Sequence, residues 1–235
     1  MIEPSNAELL AAVERSPQAA AVHDRSAWVG LFADEGRIED PVGSRPHIGH
    51  ARIGRFYDTF IGPRRITFHP DVDIVAGTSV IRDLTVEVEM ASSVTMMIPA
   101  ILRYDLRATD RGWRITRLRA YWELPKMMRQ FLGNRARSLP ASVQLSSALL
   151  GNQGLSGTIG FLAGFAGRGR RGKRLVDDML SASTAAEGIA GGGKLLGAGR
   201  WVAASVSTPT GRGVLIAEID RTGRRIIDTQ LFSRN

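Results

Sequence analysis

The 235-residue sequence contains no cysteine, which excludes disulfide frameworks, thiolate-ligated zinc and a cysteine nucleophile together. A reducing, intracellular setting fits that absence. No basic run followed by an apolar one opens the chain. Met1-Ile2-Glu3-Pro4-Ser5 leads straight into a polar segment, so the expectation is a mature chain starting near Met1 and a cytoplasmic location. There is no phosphate-cradling loop and no dinucleotide fingerprint, because Gly191-Gly192-Gly193-Lys194 lacks the spacing. The four histidines, His23, His47, His50 and His69, show no close metal-ligand pattern, and neither a metal nor a cofactor is expected.

What is present is a chain 43% hydrophobic and 23% charged, enough to bury a sizeable core. Its formal net charge of +8 is unevenly placed. Residues 1–130 hold 17 Lys/Arg against 17 Asp/Glu, whereas the remainder holds 14 against 6. Glycine is skewed as well, with 14 of 26 between Gly151 and Arg200. The reading is a neutral domain over 1–130, a Gly-rich helical connector over 131–172 and a small basic α+β extension over 173–235. Because all of the excess charge lies in that extension, the chain is not expected to bind nucleic acid.

The first domain has helix signals followed by strand signals, an α+β order rather than alternating βαβ units. Asn6 is placed to cap a helix over Ala7–Val13, which Pro17 should interrupt. Asp24 caps a second helix from Arg25 to Phe32, and a third spans Ala51 to Phe60. A short strand, Arg37–Asp40, ends at Pro41. From residue 66 the period becomes two: Leu84, Val86, Val88 and Met90 alternate with charged or polar residues. Strands over Val94–Leu106 and Arg114–Trp122 follow, joined at Thr109-Asp110-Arg111-Gly112. Three helices held in a strongly bent antiparallel sheet make a cone with an apolar interior suited to a small hydrophobic ligand.

The most specific segment is Ala33-Asp34-Glu35 followed by Glu39-Asp40-Pro41-Val42-Gly43-Ser44-Arg45-Pro46, with Phe56-Tyr57 on the third helix. This stretch resembles the ketosteroid isomerase branch of the NTF2-like (SnoaL-like) superfamily, and the resemblance spans roughly residues 7–130. It implies an NTF2-like cone, a steroid or terpenoid ligand, no cofactor and a homodimer formed through the sheet. It also implies that Asp40 is the general base moving a proton between carbons of a 3-oxo steroid. The family's oxyanion donors do not carry over. The position of its helix tyrosine is Ser16, and that of its protonated aspartate is Ile101 or Leu102. Tyr57 is then the best remaining donor, with Ser16 as a weak one. Met90, Met97, Ile101, Leu102 and Trp122 are the expected pocket residues.

Other readings stay open. One is a non-catalytic carrier of hydrophobic ligands or an interaction module. Another is a SnoaL-like cyclase or epoxide hydrolase, for which Arg103, Asp105 and Glu123 have suggestive spacing. The family aspartate for that chemistry falls on Ala120. In the extension, Arg111-Gly112-Trp113-Arg114-Ile115 is echoed by Thr222-Gly223-Arg224-Arg225-Ile226, so 173–235 reads as a shortened helix-plus-sheet unit, either a degenerate half-repeat or an unrelated hairpin pair. Ala141–Gly167 is uncharged and precedes Arg168, Arg170, Arg171, Lys173 and Arg174. That order suits an anionic membrane surface or an acidic partner, or else a packed connector ending in a solvated charge run.

Overall fold

The computed structural model describes residues 4–91, 94–123 and 169–234, with the side chains of 90, 91, 94 and 185 outside the description. Nearly all of the expected connector, 131–168 including Arg168, lies outside the described residues.

The first helix, α1 (Asn6–Ala21), is capped one residue earlier than expected, by Ser5, which forms a reciprocal capping box with Glu8. It also runs straight through Pro17. Leu9, Ala12, Val13, Ser16, Ala19 and Ala20 recur at helical spacing and are all buried, so packing on both sides of the proline outweighs its lost hydrogen bond. Asp24 accepts from the Ala27 amide to start α2 (Arg25–Gly30). The short α3 (His50–Phe56) continues into a π-helical turn, Tyr57–Ile61.

Six strands form the curled sheet: β1 (Phe32–Glu39), β2 (His47–Ile48), β3 (Arg65–Ala76), β4 (Ser79–Ala91), β5 (Val94–Thr109) and β6 (Gly112–Tyr121). Their order is β2-β1-β6-β5-β4-β3. The sheet is mixed rather than antiparallel, because β1 runs parallel to β6 with a register shift between Phe32 and Arg37. That pairing cannot be read from the local pattern. Its consequence is that Asp40, just after β1, lies beside the end of β6. The Val42 amide donates to the Ala120 carbonyl at 2.8 Å.

The concave face packs on the three helices in one core that includes Leu9, Trp28, Phe32, Ile53 and Leu84. A second unit covers the convex face. Helix α4 (Gly169–Glu187) and strands β7 (Ala190–Ala198), β8 (Trp201–Thr208), β9 (Gly211–Ile219) and β10 (Ile226–Ser233) build it, the strands in the order β10-β9-β8-β7. Leu196, Ala203, Val214 and Ile216 of this sheet share a core with Ile74, Ile81, Ile101 and Tyr121 of the cone. Val176 and Leu180 of α4 close its far side. The layers are therefore helices, curled sheet, second sheet, helix. The sheet face expected to form a homodimer is occupied by the chain's own second unit.

Charges stitch the two sheets. Asp83 is 1% exposed and is satisfied by Lys194 Nζ at 2.5 Å and Ser205 Oγ at 2.5 Å. Arg103 bonds Asp105 at 2.7 Å and Gln230 at 2.6 Å, and stacks over Phe232. Lys173, expected on a basic surface, instead turns inward to Glu123 at 2.5 Å. Arg170, Arg171 and Arg174 remain exposed on α4. Among the described residues no helix is long and apolar enough to cross a membrane.

The turn after β7 presses on the segment that follows Asp40. A Cβ on Gly199, whose φ is +57°, would stand 2.7 Å from the Gly43 Cα. Gly199→Ala is therefore expected to destabilise the fold by about 1–3 kcal/mol, through overpacking and backbone strain. Chemical denaturation with an unchanged slope against denaturant is the check, and a variant as stable as the wild type would show that this contact is slack.

Candidate functional site

Period-two alternation along β5 decides what faces the interior of the cone. Met96, Ile98, Ala100, Leu102 and Tyr104 line the cavity together with Val86 and Val88 of β4. Residues between them point the other way. Met97 is 46% exposed, and Ile101 is buried in the core shared with the second sheet, so neither reaches the cavity as expected from sequence. Of the two positions weighed for an acidic donor, Ile101 and Leu102, Leu102 lines the cavity and does so with an apolar side chain. Met90 belongs to β4, but its side chain lies outside the described residues.

Only a few polar groups interrupt this wall: Ser16, Asp40, Arg64, Tyr104 and the Trp122 indole. Asp40 follows β1 and accepts a hydrogen bond from Trp122 Nε1 at 2.6 Å. Its carboxyl is pushed up to about 6 because burial disfavours the charged form more than the Trp122 hydrogen bond favours it. Such a carboxylate is ionised near neutrality yet basic enough to accept a proton.

Sequence reasoning missed Tyr104. Its side chain is 1% exposed and its phenol is pushed up to about 12, chiefly by burial, while Arg82 and a hydrogen bond with Ser16 pull it back down. Asp40 raises it slightly as well, and the carboxylate and the phenol line the same cavity. Arg82 is itself held by Asp73 at 2.9 Å and Glu14 at 2.8 Å. Ser16 is therefore in the wall, as expected, but as the partner of a phenol from the opposite side. The available signal was the stripe Ile98, Ala100, Leu102, Tyr104, which places the hydroxyl two residues beyond Leu102 on the same face.

Tyr57 does not occupy the role expected of it. It is buried against Trp28, with ring centroids 5.5 Å apart, and does not line the cavity. Burial raises its pKa, with smaller contributions from Asp24 and Asp58. Its hydroxyl has no hydrogen-bond partner among the described residues. The Arg103 and Asp105 pair lies on the outer face of the cone beside β10, and Glu123 binds Lys173, so the spacing considered for an epoxide hydrolase does not converge inside the cavity. His47 packs against Phe56 with the ring planes tilted by 54° and is pushed down to about 4 by burial and by Arg55, Arg52 and Arg45. His50 bonds the Phe32 carbonyl instead of sharing a ligand with it. Among the described residues, no group of three or more His, Asp or Glu side chains is arranged to hold a metal.

Helices packed into a curled sheet around an apolar interior define an NTF2-like protein. Residues 8–130 match the nuclear transport factor 2 (NTF2) domain, and the chain belongs to that family. It is 31% identical over 117 residues to a steroid Delta-isomerase of Nocardioides simplex, covering 91% of that enzyme and 50% of this chain. Among solved structures, it is similar to the Delta 5-3-ketosteroid isomerase of a Mycobacterium species, at 28% identity and a TM-score of 0.45, over 50% of this chain and 95% of that one. The epoxide hydrolase/cyclase-like enzyme SalBIII of salinomycin pyran-ring formation shows 22% identity and a TM-score of 0.46, over 52% of this chain and 95% of that one. The matched domain ends at residue 130, so the unit built from α4 and β7–β10 lies beyond it.

Proposed function

We propose that the protein binds a hydrophobic 3-oxo compound of steroid type and moves its double bond into conjugation. The observation that carries this reading is Asp40, a carboxylate with a raised proton affinity in the apolar wall, held by Trp122 and lining the same cavity as Tyr104. The likeness to a steroid Delta-isomerase supports the choice of substrate class.

In this mechanism Asp40 removes a proton from the carbon between the carbonyl and the double bond. The electron pair moves into the carbonyl, giving a dienolate and a neutral carboxylic acid. Tyr104 donates a hydrogen bond to the oxygen as its negative charge grows, and Ser16 donates to the Tyr104 oxygen, which strengthens the phenol as a donor. Asp40 then returns the same proton to the far end of the dienolate, so nothing is gained or lost overall. Desolvation keeps the base strong, and the fixed dipoles replace water around the oxyanion.

The test is turnover of 5-androstene-3,17-dione, followed by the absorbance of the conjugated enone as a function of pH. Only ionised Asp40 accepts a proton, so kcat/KM should rise tenfold per pH unit below a midpoint of about 6 and level off above it. The Trp122 hydrogen bond stabilises the ionised form, so Trp122→Phe should move that midpoint upward. Tight steroid binding with no turnover at any pH would leave a carrier, and a flat pH profile would remove Asp40 as the base.

A further inference from the structure

Arg64 is the one cationic side chain in the cavity wall among the described residues, and nothing in the isomerisation uses it. It follows the π-helical turn and is 7% exposed. Its Nη1 donates to the carbonyls of Thr59 at 2.5 Å and Phe60 at 3.0 Å, which fixes the guanidinium against the end of the helix. Nε and Nη2 have no partner among the described residues. Other arginines at the helices behave differently. Arg82 is paired with Asp73 and Glu14, and Arg25 grips Asp58 through both Nε and Nη2. Arg64 has no carboxylate within ion-pair distance among the described residues, and burial pulls its guanidinium below the ordinary value.

A buried cation satisfied on one nitrogen only is costly to maintain, whereas the free Nε and Nη2 edge has the fork geometry that takes a carboxylate through two parallel hydrogen bonds. Burial and the Trp122 hydrogen bond account for the shift of the Asp40 carboxyl, and burial accounts for that of Arg64. The apolar wall of one cavity therefore carries a carboxylate, a phenol and a fixed guanidinium.

The geometry points to a ligand that carries a carboxylate as well as a ketone: a flat polycyclic acid whose anionic group meets Arg64 while its carbonyl end meets Tyr104 and Asp40. This rests on the hydrophobic-ligand reading of the cavity and narrows it from neutral steroids to steroid acids. A neutral ligand would leave the guanidinium unpaired, whereas a carboxylate recovers charge-assisted hydrogen bonds in a place shielded from water.

The probes are 3-oxo-4-androstene-17β-carboxylic acid and its methyl ester, which share one skeleton and differ in charge at the end opposite the ketone. Titration of the full chain at pH 7.5 by isothermal calorimetry should show the acid binding about tenfold or more tighter than the ester. Arg64→Met should bring that ratio to about one. Arg64→Lys keeps the charge without the fork and should give an intermediate ratio. The wild-type comparison needs no variant, so a misfolded Arg64→Met leaves the test intact. An ester that binds the wild type as tightly as the acid overturns the inference while leaving the cavity a steroid site. If neither ligand binds, the hydrophobic-ligand reading falls with it.

Discussion

Asp40→Asn is expected to cut turnover of a 3-oxo-Δ5 steroid by about 10²–10⁴-fold while leaving steroid affinity close to that of the wild type. The two side chains have nearly the same shape, and the asparagine carbonyl can still accept from Trp122 Nε1, so the wall keeps its form. What disappears is the capacity to hold a proton between its removal and its return. Enone absorbance measures the rate, and quenching of tryptophan fluorescence measures binding, since Trp28 and Trp122 both line the cavity. Equal rates for the two proteins would mean that the proton travels by another route.

Tyr104→Phe should cost about 10²–10³ in kcat, the usual consequence of losing one preorganised donor to an oxyanion. Substrate binding should change far less, because a ground-state ketone carries little of the charge that the phenol stabilises. Ser16→Ala should fall between this variant and the wild type, since it weakens the donor without deleting it. A Tyr104→Phe enzyme within twofold of wild type would reject the phenol as the oxyanion donor.

Asp40 was legible in the sequence as a candidate because it belongs to one short, unusual run, Glu39-Asp40-Pro41-Val42-Gly43-Ser44. The concave stripe of β4 was legible because alternation is a local property of a strand. Tyr104 was not, since its partner Ser16 is 88 residues away and only the packing of α1 against the curled sheet brings them together. The same limit applies to the parallel pairing of β1 with β6, which joins segments at opposite ends of the domain. Pro17 misled for a different reason. Its local cost is real, but the residues buried before and after it tie both halves of α1 to one core. In the extension, composition announced a basic unit read as helix plus sheet, whereas its seat on the back of the cone depends on shape-matched glycines such as Gly43 and Gly199 that carry no pattern.

Because the second sheet and the cone it backs are parts of one polypeptide, their contact cannot be dissociated by dilution. Any visiting macromolecule that sought this side of the cone would have to evict a tethered competitor, and that competitor holds both the strip beyond Asp40, through Gly199, and the residue next to Trp122, through Lys173. The support behind the cavity therefore does not vary with the abundance of the protein.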